Sequence, residues 1–123
     1  MSESTRIAPP NSLLLIAAAP TDMVPQEMTV GPNIGATRCC ITVGCLMYQD
    51  GETEVALGRP LNTNRRPAFD GFLDTPSRKV AVWTIEWDKV LATSVPTTRT
   101  RIRIWTNHPT EPDDVHIGVG DGK

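Results

Sequence analysis

A chain of 123 residues with a net charge of −2 has the size of one domain and is long enough to close a core without disulfides or a structural metal. Its 9 Gly and 11 Pro, with no long stretch of period 3.6, exclude a helical bundle. The acidic balance argues against a nucleic-acid domain, and the longest apolar run is far below the roughly 20 residues of a membrane helix.

The charge is unevenly spread. Residues 1–58 set Arg6 and Arg38 against Glu3, Asp22, Glu27, Asp50, Glu52 and Glu54, a net −4. Residues 59–103 carry Arg59, Arg65, Arg66, Arg78, Lys79, Lys89, Arg99, Arg101 and Arg103 against Asp70, Asp74, Glu86 and Asp88, a net +5. The remainder returns to −3. Nine of the twelve basic residues are Arg, whose planar fork suits carboxylates and phosphates.

Residues 1–11 are polar, carry Pro9 and Pro10, and read as a flexible N-terminal arm. Leu13 to Ala18 is a continuous apolar run, a strand buried on both faces or a short core helix. Ala17-x-Ala19 has the form of a signal-cleavage site, but Glu3 beside Arg6 makes a poor positive leader, so a cytoplasmic protein is expected and secretion is the alternative. Pro20 to Ala36 reads as an irregular connector, with an edge strand at Glu27 to Val30. Cys39, Ile41, Val43, Cys45 and Met47 alternate, Asp50-Gly51 follows, and Thr53, Val55 and Leu57 resume the alternation, which predicts a β-hairpin. Gly58 to Pro67 is a turn-rich loop with three arginines.

Further strands are expected at Phe69 to Asp74, at Lys79 to Trp87 with both faces apolar, and at Val90 to Val95. Thr98 to Thr106 and Val115 to Val119 complete the set. About seven to nine short strands in one domain over residues 12–120, followed by a tail at 121–123, predict an all-β antiparallel β-sandwich with little helix, a barrel being the alternative. Trp83 is the expected core filler between the sheets. Cys39, Cys40 and Cys45 offer no pair suited to a disulfide and read as small buried hydrophobes, consistent with a reducing compartment.

The leading functional candidate lies between Thr98 and Thr106, where Arg99, Arg101, Arg103 and Trp105 share one strand face at intervals of about 7 Å. With Arg65 and Arg66 they form a surface for an acidic protein or a small anion, and a nucleic acid is the less favoured partner. The structural alternative neutralises the ladder with Glu86 and Asp88, or with Glu52 and Glu54, on neighbouring strands. A second candidate is His108, Glu111, Asp113 and His116, residue types that bind zinc, manganese or calcium, although no standard ligand spacing is present.

No nucleophile elbow, phosphate-binding glycine loop or dinucleotide fingerprint occurs. The reading is therefore a non-enzymatic, cofactor-free interaction module of regulatory, inhibitor or immunity-like type, with a metal-dependent or hydrolytic enzyme on the histidine loop as the rival. A homodimer through an open edge strand is a further expectation, with no edge singled out.

Overall fold

The computed structural model describes residues 3–9, 12–22, 24–25, 33–59, 66–108 and 111–120. Among these, β1 spans Glu3–Ile7, β2 Leu13–Ala17, β3 Ile34–Ala36, β4 Ile41–Gly44 and β5 Thr53–Gly58. They are followed by β6 Phe69–Asp74, β7 Lys79–Trp83, β8 Lys89–Ser94, β9 Arg99–Thr106 and β10 Asp114–Val119. Two five-stranded sheets result, ordered β1-β5-β10-β9-β6 and β3-β4-β2-β7-β8. Neighbouring strands run antiparallel except β5 and β10, which are parallel. The expected sandwich is thus the architecture, with open edges rather than a closed barrel.

Period two sorts the side chains. Leu57, Leu73, Ile102, Ile104 and Ile117 of the first sheet meet Leu14, Ile16, Ile41, Val43 and Val82 of the second in one core. Each such side chain gains roughly 1.5–3 kcal/mol by leaving water. The second sheet is apolar on its outer face too, where Leu15, Ala17, Cys40, Ala81 and Trp83 are buried with Val24, Trp87 and Ala92 against them. Trp83 therefore fills this outer cluster instead of the inter-sheet core, since Val80 and Val82 take the inward positions of β7. Its indole N–H donates to the Ala17 carbonyl at 3.0 Å, and its ring meets Trp87 edge-on at 5.6 Å.

The strand layout departs from the sequence expectations at four places. Residues 3–7 of the expected loose arm are an edge strand paired with β5. The Asp50-Gly51 hairpin does not form, because β4 pairs with β2 and β3 in one sheet while β5 belongs to the other. The chain crosses through a 3-10 turn at Tyr48–Asp50, and Gly51 takes φ 140°, a conformation open to glycine. Cys45 N–H on the Ser12 carbonyl and Leu46 N–H on the Pro112 carbonyl anchor the crossing. β7 ends at Trp83 rather than Trp87 because Thr84 Oγ1 accepts from the N–H groups of Glu86 and Asp88, closing a turn in which Trp87 has φ 62°. Finally, β3 arises within the stretch read as irregular; the strand expected at Glu27 to Val30 lies outside the described residues.

All three cysteines are free, Cys40 and Cys45 buried and Cys39 half-buried. Burial pushes the Cys40 and Cys45 thiols from the ordinary 9.0 up to about 12. Unfolded thiols ionise near 9.0 while the folded ones do not, so the stabilisation is complete below that pH and falls as pH rises toward about 12. Urea melts across this window should show the decline, with a flatter slope in a Cys40→Ala, Cys45→Val double variant. A thiol reagent near neutral pH should modify Cys39 in the native protein and all three cysteines in urea.

Candidate functional site

β9 lies between β10 and β6, and its inward Thr100, Ile102 and Ile104 are buried, so Arg99, Arg101 and Arg103 face outward. Across β6 the register sets Asp74 opposite Arg99, Phe72 opposite Arg101 and Asp70 opposite Arg103. The three arginines then meet three different surroundings.

Arg101 reaches diagonally to Asp70 in a bidentate pair, Nε to Oδ1 at 2.9 Å and Nη2 to Oδ2 at 2.7 Å. This hydrogen bonding, more than the accompanying charge of Arg101 and Arg103, holds the Asp70 carboxyl below its ordinary 3.8. The pair therefore stabilises the fold above that pH and loses its contribution as pH falls through the lowered value. With the side chains 36% and 41% exposed, solvent screening limits it to about 1 kcal/mol. Arg103 is half-buried, donates from Nη2 to the Gly120 carbonyl at 3.0 Å and lies 6.0 Å from the Trp105 ring. Its Nε is buried without a hydrogen-bond partner.

Arg99 is exposed and stacks its guanidinium 4.5 Å from the Phe72 ring, itself 51% exposed. Among the described residues no carboxylate lies within ion-pair distance of it. Its guanidinium thus lies over an aromatic ring without an ion-pair partner among the described residues.

The other expected contact residues separate from this corner. Trp105, expected to be partly exposed, is 5% exposed, with His116 edge-on at 6.0 Å and the Arg103 guanidinium beside it. Arg66 is exposed just before β6, at the opposite end of that strand from Asp74 and Arg99, and Arg65 lies outside the described residues. The acids expected to neutralise the ladder do not. Glu86 and Asp88 sit in the β7–β8 turn of the other sheet, and Glu54 on β5 pairs with Arg6 at 3.4 Å. Asp70 and Phe72 were the residues missed, although Asp70, Phe72 and Asp74 alternate on one face in Phe-Asp-Gly-Phe-Leu-Asp.

The histidine loop is held together by its own bonds. His108 Nδ1 accepts from the Glu111 N–H at 3.0 Å, and Asn107 Nδ2 donates to Asp113 Oδ1 at 2.6 Å. His116 is on β10, its Nε2 2.9 Å from the Arg59 carbonyl, a contact that places a proton on that nitrogen. Among the described residues no three His, Cys, Asp or Glu side chains gather to hold a metal ion, and no helix is long and apolar enough to cross a membrane.

The segmental charge of the sequence becomes a polarity in space. The turns at residues 37–40, 75–78 and 96–98 share one end, tied by Asp74 N–H on the Arg38 carbonyl and Thr75 N–H on the Thr98 carbonyl. Exposed Arg38, Arg78, Lys79 and Arg99 are found there. Exposed Asp50, Glu52, Glu86, Asp88, Glu111 and Asp113 belong to connections at the other end, with Arg66 and Lys89.

These features describe an open two-sheet β-sandwich with one cation-rich end. No protein-family model and no curated protein matches the sequence. Solved structures similar in fold include ComJ from Bacillus subtilis, described as an inhibitor of the DNA degrading activity of NucA. It aligns at a TM-score of 0.61 and 7% identity over 97% of this chain and 95% of its own. The protein of crocagin biosynthetic gene J aligns at a TM-score of 0.50 and 12% identity over 100% of this chain and 99% of its own. At such identities the likeness is one of fold.

A double-mutant cycle on Asp70 and Arg101 should give a coupling energy of at most about 1 kcal/mol at neutral pH that disappears in acid. Arg99→Ala should leave the denaturation midpoint nearly unchanged.

Proposed function

We propose that this chain is a small, inhibitor-like interaction module that docks a protein partner through the corner where Arg99 lies on Phe72, with Arg38, Arg78 and Lys79 as a cationic rim. The observation that carries this is the exposed Arg99–Phe72 stack, the one ladder position whose guanidinium meets an exposed aromatic plane and, among the described residues, no carboxylate. Arg and aromatic side chains are the residue types that dominate binding energy at protein interfaces. An acidic patch on the partner fits the rim. The fold shared with an inhibitor of a nuclease supports a protein target over a small molecule.

Arg101 and Arg103 then act behind the contact, orienting β6 and β9, rather than as primary ligands. A photo-reactive phenylalanine analogue at position 72 should crosslink a partner in extract of the source cells, whereas one at position 52 on the acidic end should not. Arg99→Glu should weaken capture by about tenfold or more, equivalent to ~1.4 kcal/mol, without changing the circular dichroism spectrum. Crosslinking from position 52 alone, or capture indifferent to Arg99→Glu, contradicts the reading.

A further inference from the structure

Among the described residues the two sheets end in four edge strands, β1 and β6 in one and β3 and β8 in the other. Three of them are protected in the ways edges usually are. β1 carries Glu3 and Arg6, and β3 is three residues long. β6 carries Asp70 and Asp74 and has the Asp74 N–H taken by the Arg38 carbonyl. β8 is different: it runs for six residues, and although it opens with Lys89 and has a bulge at Val90, its centre, Val90-Leu91-Ala92-Thr93, is half-buried and bears no charge. Val90 and Leu91 pack on the inter-sheet core while Ala92 packs on the outer cluster, so the strand is apolar on both faces and still lies at an edge. An open groove of about 460 Å³, lined by Arg6, Ile7, Thr84, Asp88, Lys89 and Val90 among others, runs beside its first half.

We infer that β8 is a self-association edge, its occupant β8 of a second copy of this chain in antiparallel orientation. The backbone phase permits it. Val95 N–H donates to the Arg78 carbonyl, so in this antiparallel ladder residues 91 and 93 bond inward to β7, and Ala92 and Ser94 direct their N–H and C=O groups outward. A two-fold axis at Ala92 pairs Ala92 with Ala92 of the second copy and brings Ser94 of the second copy to Val90, where the β7–β8 register shifts by one residue and the regular ladder ends. The two five-stranded sheets then run on as one.

Charge complementarity selects the antiparallel partner. β8 starts with Lys89 at the acidic end, directly after Glu86 and Asp88, which together leave that end net negative, and finishes beside Arg78 and Lys79, because Lys79 is in register with Ser94. The two-fold axis therefore brings the carboxylates of one copy toward the cations of the other, twice. The interface uses the sheet that does not carry Arg99 and Phe72, so that stack stays open in the dimer, while Arg78 and Lys79 of the cationic rim border both contacts.

Sedimentation equilibrium of the purified chain should report twice the 13.4 kDa protomer mass, with dissociation rising in high salt. Ala92→Pro removes an outward N–H that β7 does not use and should give a monomer with an unchanged β spectrum. A Glu86→Lys, Asp88→Lys variant and an Arg78→Glu, Lys79→Glu variant should each dimerise at least about tenfold more weakly, and their equimolar mixture should recover the dimer. If Ala92→Pro does not fold, the charge-reversal set decides alone. A wild-type chain that stays monomeric, or a dimer unmoved by charge reversal and not re-formed by mixing, overturns the inference.

Discussion

Burial of one side of β9 governs where the charged groups of its sheet can lie. Thr100, Ile102 and Ile104 sit in the core, paired to β6 on one side and β10 on the other. A slip of one residue would turn Arg99, Arg101 and Arg103 into that core, and burying an unpaired ion costs several kcal/mol even after relaxation. The guanidiniums are therefore outward by necessity. What each one does is set by the strand beside it, since β6 places Asp70 and Phe72 among them.

From that register comes a division of labour along a single strand. Arg103 is drawn toward Trp105 and the Gly120 carbonyl, Arg101 is neutralised by Asp70, and Arg99 lies over Phe72 at the cation-rich end. The proposed binding surface is thus one corner rather than the whole ladder. The opposite edge of the molecule, at β8, is apolar at its centre, so the proposed contact with a partner and the proposed contact with a second copy centre on different strands and share only Arg78 and Lys79 at their border.

Period-two alternation in the sequence accounts for most of the fold. β6, β9 and β10 were expected almost at their observed limits, because each has a buried face that recurs every second residue. Alternation does not name the partner strand, which is why the segments flanking Asp50-Gly51 suggested a hairpin although β4 and β5 enter different sheets. Nor does it show how deep an outward residue sits: Trp105 shares the arginine face and is nonetheless buried, with the His116 ring and the Arg103 guanidinium beside it. The Asp70 partner of Arg101 was legible in principle, but charge counting favoured Glu86 and Asp88, which the topology assigns to the other sheet. The proximity of His108, Glu111, Asp113 and His116 in sequence does not bring three of their side chains together: His108 meets the Glu111 N–H, Asp113 meets Asn107, and His116 lies on β10 against the Arg59 carbonyl.

The central claim is that the arginine ladder is divided, with Arg101 committed inside the protein and Arg99 available to an outside anion. Side-chain NMR of arginine Nε–H groups tests it most directly. Slow hydrogen exchange at Arg101 Nε, speeding up when Asp70 is protonated or replaced by Asn, together with solvent-rate exchange at Arg99 Nε, is the predicted result. Equal protection of the two groups, or an Arg101 signal indifferent to Asp70, would contradict it.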